Sequence, residues 1–226
     1  MVRCFDIMFS GLLLLILLPL FTVITIILKF TGEGEIFYLQ HRVGKNGKKF
    51  NLFKFATMLK NSPNIGTGTI TIKDDKRVLP VGSFLRKSKL NELPQLLNIV
   101  FGDMSLIGPR PLTPQNFASY SDDVQFIIGQ VRPGLSGVGS IVFRNEEEIM
   151  HGSSATVDFY NKTIAPYKGK LEVWYVQNRS TSLYFMSILA TILIVLLPNS
   201  RLTWRFFKEL PQPPKKLELV LGYTKI

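Results

Sequence analysis

The longest uncharged apolar run of the chain covers residues 7–28, and it constrains the fold more than any other feature. About 20 apolar residues suffice for a helix to cross the hydrocarbon core of a bilayer. Pro19 lies in the middle of this run, where a proline removes a backbone hydrogen bond and kinks a helix. The residues alone leave two arrangements open, a kinked spanning helix and a re-entrant hairpin that returns to the same face, and they favour the span.

The net charge and the hydropathy of the chain limit the classes of molecule that it is expected to bind. It has 27 Lys and Arg residues against 16 Asp and Glu residues, a formal charge of +11 and a mean hydropathy of +0.20. This combination indicates an anionic membrane surface or an anionic substrate, and the long apolar runs argue against nucleic acid. Residues 36–73 contain no acidic side chain, which predicts that they face the cytoplasm. One cysteine and two histidines provide neither an intrachain disulfide nor a Cys/His metal cluster.

Three further segments organise the chain after the first apolar run. Residues 37–55 predict a β-hairpin, because two β-type runs flank the turn signal Asn46-Gly47. Residues 61–71 are rich in Gly, Ser, Thr and Asn and predict a flexible loop. The apolar run 183–197 is short for a span, so we expect a helix in the membrane interface or packed on the domain. A second transmembrane helix is the alternative.

These segments divide the chain into four parts. We expect a membrane helix at 1–30, a globular domain at 31–182, an interfacial or packed apolar helix at 183–198, and a basic, proline-containing peripheral extension at 199–226. The expected fold class is α+β, a small and mostly helical domain that carries one β-hairpin and interfacial amphipathic helices.

A predicted helix follows a short run of cationic residues that begins at residue 86. Four apolar residues recur at helical spacing and predict its buried face: Leu93, Leu96, Leu97 and Val100. Asn91 lies where an N-cap would lie, and the Glu92 carboxylate suits the positive end of the helix. Three cations precede them: Arg86, Lys87 and Lys89. We therefore expect a polyphosphate site here, with a divalent metal on Glu92.

Two further arginines are adjacent to proline residues that restrict the backbone. Pro109 and Pro111 flank Arg110, and two prolines restrict the backbone so that the guanidinium has little freedom. Arg132 precedes a Pro-Gly turn in a similar way. Arginine binds phosphate through two parallel hydrogen bonds, which favours a phosphate site. The alternative for Arg110 is a structural ion pair with a nearby carboxylate such as that of Asp103.

A series of motifs gives the chain a family resemblance. The motifs QHRVG, FKFATM, LNELPQLLNIVFGDMSLIGPRPL, VRPGLSG and YVQN follow the apolar helix in this order. The series resembles the bacterial sugar transferase family, the monotopic polyprenol-phosphate phosphoglycosyl transferases, over about residues 1–198. The resemblance identifies 31–182 as the catalytic domain.

The resemblance implies a reaction and a location. Such enzymes transfer a phosphosugar from a UDP-sugar to undecaprenyl phosphate with Mg²⁺, release UMP and start a surface glycan. It implies that the first helix re-enters on the cytoplasmic face of the bacterial inner membrane, in contrast to the span that the residues alone favour. Leu18 stands before Pro19 where the family usually has a serine. Members with this short form can pair in the membrane, so a homodimer is possible.

The resemblance also implies roles for particular side chains. Three cations would hold substrate phosphates and stabilise charge in the transition state: Lys54, Arg110 and Arg132. Glu92 would act in catalysis and bind the Mg²⁺. Three residues would support this site: Arg86, Lys89 and Asp103.

Asn91 departs from the family pattern, which has an Asp-Glu pair in this place. The family's aspartate is taken to be the nucleophile that forms a covalent phosphosugar intermediate. A neutral amide is a very poor nucleophile, although it caps a helix about as well as a carboxylate. Three explanations stay open: an engineered Asp-to-Asn change, a natural enzyme that uses Glu92 or direct attack by the lipid phosphate, and a natural homologue that binds substrates without turnover.

Overall fold

The structure is a computed structural model that describes residues 2–65, 75–144, 146–149, 157–197 and 202–223. The predicted α+β class is confirmed, because the described chain is mostly helical with a small amount of sheet. The helices are α1 Val2–Lys29, α2 Pro80–Lys87, α3 Gln95–Phe101, α4 Pro114–Ala118, α5 Asp122–Gly129, α6 Val138–Val142, α7 Glu146–Ile149, α8 Val157–Phe159, α9 Ala165–Gln177, α10 Thr181–Leu196, α11 Leu202–Phe206 and α12 Lys215–Glu218. The strands are β1 Phe37–Val43, β2 Lys49–Phe55, β3 Ser105–Ile107 and β4 Gly134–Ser136. Most of the expected flexible loop, residues 66–71, and also Pro198 lie outside the described residues.

The helix α1 is long and apolar enough to cross a membrane, by length and composition. It continues as one helix through Pro19, and its middle is largely exposed, with several bare apolar side chains: Leu12, Leu13, Leu15, Ile16 and Leu18. Its first turns pack on α3 and β3. Near its other end, Ile24 and Leu28 are buried against Phe55 and Leu85. Both ends of α1 therefore contact the same domain.

A buried carboxylate connects the first turns of α1 to the domain. Asp6 is 2% exposed and accepts hydrogen bonds from the Ser105 hydroxyl, the Leu106 backbone N–H and the Tyr184 hydroxyl, each at 2.9 Å. Arg3 donates to carbonyl oxygens at the end of α3 at 2.7 and 3.1 Å. A buried carboxylate is tolerated when donors surround it, so Asp6 ties α1 to β3 and α10 at once.

The predicted β-hairpin is confirmed. Strands β1 and β2 pair antiparallel, with Tyr38 opposite Lys54 and Arg42 opposite Phe50. The turn contains Asn46, whose φ of 56° lies in the left-handed region that Asn adopts more easily than most residues. Residues opposite each other, or two apart on one strand, share a face, so Arg42 and Lys54 lie on the same face of the hairpin. Strands β3 and β4 form a separate parallel pair.

The predicted helix start at Asn91 is wrong. Residues 90–92 form one turn of 3₁₀ helix, and α3 begins at Gln95 after Pro94. Asn91 therefore lies before the helix and makes no capping hydrogen bond; Pro94 occupies the N-cap position. Proline favours the first turn of a helix because it has no N–H to lose there, which explains the later start.

The predicted buried face of α3 is also partly wrong. Leu96 is buried, but its buried neighbours are Gln95, Asn98 and Ile99 rather than the other leucines. Asn98 is fully buried because its side chain replaces a strand partner for β2: it accepts from the Phe53 N–H at 2.9 Å and donates to the Asn51 carbonyl at 2.8 Å. Packing against β2 therefore selects a face with polar residues, which the spacing of leucines does not reveal.

The apolar run after residue 182 is a helix that packs on the domain along one side. Five residues of α10 are buried: Leu183, Tyr184, Ser187, Ala190 and Ile194. The opposite side exposes apolar residues: Phe185, Leu189, Ile192, Val195 and Leu196. Phe185 also contacts the rings of Phe5 and Phe9 of α1. The exposed apolar sides of the two helices therefore adjoin.

The C-terminal extension is not peripheral, contrary to the prediction. Trp204, Phe207, Leu210 and Leu217 belong to the main hydrophobic core. The Tyr167 hydroxyl of α9 donates to a carbonyl of the extension at 2.7 Å. The apolar residues of this basic, proline-containing segment are too sparse to show a period, but tertiary contacts bury Trp204, Phe207, Leu210 and Leu217.

The Asp6 cluster leads to a prediction about stability. Asp6→Leu removes the carboxylate and leaves the Leu106 N–H and the Tyr184 hydroxyl without their acceptor. A buried donor without a partner costs roughly 1–3 kcal/mol, so we expect the free energy of unfolding in detergent to fall by about 3 kcal/mol. The control is Cys4→Ala on the exposed side of α1, which we expect to change it by less than about 0.5 kcal/mol. Equal stability of the two variants would contradict the role of Asp6.

Candidate active site

One carboxylate lies between two cations in a pocket at the inner face of the hairpin. Glu92 Oε1 lies 3.8 Å from Lys54 Nζ and 3.5 Å from Arg110 Nη2. The three side chains come from the 3₁₀ turn before α3, from β2 and from the loop after β3. They are 21%, 18% and 39% exposed, respectively, so each remains accessible to a ligand. The structure thus brings together three of the residues that the sequence predicts for the site.

The charges of this pocket shift the pKa of its groups. Burial alone raises the pKa of the Glu92 carboxyl, but Arg110 and Lys54 more than compensate and lower it to about 2. Burial lowers the pKa of the Lys54 amine to about 8, although Glu92 acts in the opposite direction. At neutral pH Glu92 is therefore ionised, and Lys54 is mostly charged but close to its titration range.

Arg42 is a further cation of the pocket, and it is not among the site residues predicted from the sequence. It lines the pocket beside Lys54, Glu92, Gln95 and Arg110. Burial and the charge of Arg110 lower the pKa of Arg42 to about 10, so it stays charged at neutral pH. The signal was the alternation of the hairpin, which puts positions 42 and 54 on one face. The pocket therefore holds three cations around one carboxylate and attracts anions.

The segment 109–111 is held at three successive main-chain groups. The Gly134 N–H donates to the Pro109 carbonyl at 2.8 Å. The Arg110 N–H donates to Glu172 Oε1 at 3.2 Å, and Arg42 Nη1 donates to the Pro111 carbonyl at 3.0 Å. Because both flanking residues are prolines, this backbone has few other conformations. The prediction that Arg110 has little freedom therefore agrees with the way that its backbone is fixed.

Arg132 and Asp103 lie apart from the contacts among Glu92, Lys54 and Arg110. Arg132 Nε donates to the Gly102 carbonyl at 2.7 Å, and Arg132 is not among the residues that line the pocket. Its role as a phosphate ligand stays a prediction. Asp103 accepts from the Asn98 amide at 3.5 Å. The ion pair of Arg110 is with Glu92, and the expected alternative with Asp103 is wrong.

The remaining predicted residues take different places. Lys89 is exposed, has a φ of 61° and helps to lower the pKa of Glu92. Arg86 is half-buried at the end of α2 and donates to the Met58 sulfur at 3.9 Å. Leu18 and Pro19 lie on the exposed middle of α1, far along the sequence from the pocket. Their predicted roles stay predictions.

Asn91 is 6% exposed, and its Oδ1 is buried without a hydrogen-bond partner. An unpartnered buried oxygen costs free energy, so it marks either strain or a place where a ligand atom completes the hydrogen bonding. Asn91 directly precedes Glu92, whose carboxylate lies in the pocket. Asn91 is not among the residues that line the pocket, and the more exposed Glu92 is the one that contacts the cations.

The side-chain oxygens of the pocket are its candidate ligands for a metal ion. Among the described residues, no group of three or more His, Cys, Asp or Glu side chains could hold a metal ion. Mg²⁺ prefers oxygen ligands and commonly takes one or two carboxylates, water and substrate phosphates. The Glu92 carboxylate lines the pocket and fits an ion that takes its other ligands from water and from a phosphate substrate.

The comparisons with known proteins identify the family. The sequence model of the family described as "Bacterial sugar transferase" matches residues 1–198. This match covers most of the chain and includes every residue of the pocket. The chain belongs to the bacterial sugar transferase family, and the resemblance drawn from its motifs is confirmed.

Its curated relatives carry names that describe related reactions. The chain is 39% identical over 158 residues to the exopolysaccharide production protein ExoY of Sinorhizobium fredii. This alignment covers 64% of this chain and 70% of that protein. It is 34% identical over 191 residues to the undecaprenyl-phosphate galactose phosphotransferase of Salmonella typhimurium, over 78% of this chain and 36% of that protein. It is 33% identical over 162 residues to the UDP-glucose:undecaprenyl-phosphate glucose-1-phosphate transferase of Klebsiella pneumoniae, over 70% of this chain and 34% of that protein. The chain thus spans about a third of the longer relatives.

Glu172 predicts a pH dependence of stability. Burial raises the pKa of this carboxyl from 4.5 to about 7. The folded chain therefore binds the proton more tightly than the unfolded chain, which stabilises the fold fully below pH 4.5 and no longer above about pH 7. Relative to Glu172→Gln, which does not titrate, the free energy of unfolding of the unchanged protein should fall between these pH values. Glu172→Leu should give the same slope with a different offset, and a flat difference for both variants would contradict the raised pKa.

Proposed function

We propose that this protein transfers a phosphosugar from a UDP-sugar to undecaprenyl phosphate and forms undecaprenyl-diphosphate-sugar and UMP. The reaction would start a bacterial surface glycan such as an exopolysaccharide, a lipopolysaccharide or a capsule. The observation that carries the proposal is the cluster of Arg42, Lys54 and Arg110 around Glu92, in a chain that belongs to this family. The names of the relatives support the general reaction.

The cations of the pocket suit a reaction between two anionic phosphates. Lys54 and Arg110 would contact the diphosphate of the donor, since their side chains are partly exposed and already face a carboxylate oxygen. Arg42 adds a third positive charge to the pocket, and its guanidinium is held by a hydrogen bond to the Pro111 carbonyl. Fixed positive groups stabilise the charge that develops on the departing UMP.

We propose that a Mg²⁺ ion takes part, held by Glu92 together with phosphate oxygens of the donor. When bound, it would neutralise the diphosphate and make UMP a better leaving group. The low pKa of Glu92 keeps this carboxylate ionised and available as a ligand across the physiological range.

The amide at position 91 favours a single displacement for this chain. An oxygen of undecaprenyl phosphate would attack the phosphorus that carries the sugar, and the bond from that phosphorus to UMP would break. No covalent enzyme intermediate forms, so the configuration at phosphorus inverts. Glu92 is the other candidate nucleophile, but a pKa of about 2 makes it weakly basic and weakly nucleophilic.

The second candidate function is a homologue that binds both substrates without turnover. The observation in its favour is Asn91 itself, because the amide is buried in the place where the family has its nucleophilic carboxylate. The pocket would keep its cations and its affinity for phosphates, and the chemical step would be absent.

The membrane placement that we propose is re-entrant, on the cytoplasmic face of the inner membrane. Both ends of α1 contact one domain, with Asp6 at one end and Leu28 at the other, which supports a helix whose ends share a side. The adjoining apolar sides of α1 and α10 would lie in the bilayer and bring the pocket to the headgroup level. A homodimer in the membrane also belongs to the proposal.

Turnover is tested by release of UMP from the purified protein with undecaprenyl phosphate, Mg²⁺ and a panel of UDP-sugars. Asn91→Asp and Glu92→Gln run in parallel. If Asn91 supports a single displacement, the unchanged protein releases UMP, a chiral-phosphorus donor shows inversion, and Glu92→Gln lowers the rate by about 100-fold or more. If UMP release requires Asn91→Asp, the substrate-binding homologue is the correct function. No release by either protein with any donor would contradict the proposed reaction.

The pKa of Lys54 predicts how donor binding depends on pH. The Lys54 amine has to be protonated to attract phosphate, so the affinity for UDP should fall as the pH rises from 7 to 9, through the pKa of about 8. Lys54→Arg keeps its charge throughout this range and should remove most of the fall. The measurement is isothermal titration calorimetry at several pH values. The same fall in both proteins would assign the titration to another group.

A further inference from the structure

A buried carboxylate stands directly behind the arginine of the pocket. Glu172 lies on α9 and is 3% exposed, among the apolar core residues of that helix. Its Oε1 accepts the hydrogen bond from the Arg110 N–H at 3.2 Å, and its Oε2 is buried without a partner. Burial of an ionisable carboxyl group is costly, and a core position would not need it for packing.

The surroundings leave space for this contact. A Cβ atom at Gly139 of α6 would lie 2.4 Å from Glu172 Oε1, so glycine at this position lets the carboxylate reach the Arg110 backbone. One turn further along α9, the Tyr175 hydroxyl donates to the Ile107 carbonyl at 3.3 Å. The helix therefore holds the strand β3 and the segment after it at two separate points.

The N–H of Arg110 has few possible partners of its own. Its neighbours Pro109 and Pro111 have no N–H, so it is the single backbone donor of these three residues. Strand pairing engages the Pro109 carbonyl, and Arg42 engages the Pro111 carbonyl. The peptide plane between Pro109 and Arg110 is thus held at both of its polar atoms, by the Gly134 N–H and by Glu172. Without Glu172 the Arg110 N–H would lose its acceptor, this plane would keep a single anchor, and the guanidinium would be held less firmly.

We propose that Glu172 is a positioning residue for Arg110: its carboxylate holds the Arg110 main chain and so fixes the place where the guanidinium meets the diphosphate of the donor. The inference rests on the proposed function, because it takes Arg110 as a ligand of the donor phosphates. Glu172 itself does not touch the substrate.

The test compares variants that keep or remove the hydrogen-bond acceptor, by calorimetric binding of UDP and of inorganic pyrophosphate. Glu172→Leu has a similar size and no acceptor, and we expect it to bind both ligands about tenfold more weakly. Glu172→Gln keeps an acceptor oxygen and should stay within about twofold of the unchanged protein. Tyr175→Phe is the matched control on the same helix, since it removes a hydrogen bond to β3 but none to Arg110, and should leave both affinities unchanged.

A double-mutant cycle separates positioning from general damage to the fold. If Glu172 acts through Arg110, adding Glu172→Leu to Arg110→Ala should change the affinity by less than about twofold. An equal, additive loss in both backgrounds would overturn the proposal, as would an unchanged affinity of Glu172→Leu alone. Should Glu172→Leu fail to fold, Gly139→Ala displaces the carboxylate without removing it and should weaken binding in the same way.

The two ligands distinguish this inference from the proposed function. If the unchanged protein binds pyrophosphate but not UDP, the proposed donor is wrong, and the cycle still tests Glu172 with pyrophosphate. If it binds neither ligand, Arg110 has no phosphate to position and the inference is overturned as well. If it binds both without turnover, the second candidate function is supported and the positioning role of Glu172 is judged by the cycle alone.

Discussion

The contact of Asp6 with the start of β3 is the interaction on which much of this structure depends. Strand β3 leads directly into the segment 109–111, so the same few residues connect the apolar helix α1 with the arginine of the pocket. A buried carboxylate has a strong requirement for donors, and Ser105, Leu106 and Tyr184 provide them from two elements. The position of the pocket relative to the exposed apolar surface of α1 is therefore defined by hydrogen bonds as well as by packing.

The pocket itself is organised by an excess of positive charge. Arg42, Lys54 and Arg110 surround Glu92, and the backbone N–H of Arg110 is held by Glu172, which is not among the residues that line the pocket. In the proposed reaction such a site would be prepared for the diphosphate before the donor arrives, which is the condition under which fixed charges contribute most to a transition state. The neutral amide of Asn91 adds no charge to this arrangement, and Glu92 carries the negative charge that the cations contact. In the proposed function, the amide at position 91 would bear on the chemical step more than on binding.

Prediction from sequence succeeded where the signal was local. The turn at Asn46-Gly47 and the alternation around it are sufficient for the hairpin, and the motif series is sufficient for the family. The prediction failed where a polar residue satisfies a distant partner. Asn98 is buried because it bonds β2, so the face of α3 differs from the one that its leucines predict. The C-terminal segment appeared polar by composition, but Trp204 and its apolar neighbours enter the core.

The sequence by itself determined the apolar helix, the basic character, the family and the residue types Lys54, Glu92 and Arg110, because these follow from composition and from order along the chain. The tertiary structure alone decided that Arg42 joins them and that Glu172 lies behind Arg110. The alternation of the hairpin places Arg42 on the face of Lys54, but both Arg42 and Glu172 are separated from the segment around Arg110 by tens of positions, so no local pattern could pair them with it. Electrostatic and hydrogen-bond contacts at this separation exist once the chain has folded, and for this reason the geometry of the site is a property of the fold.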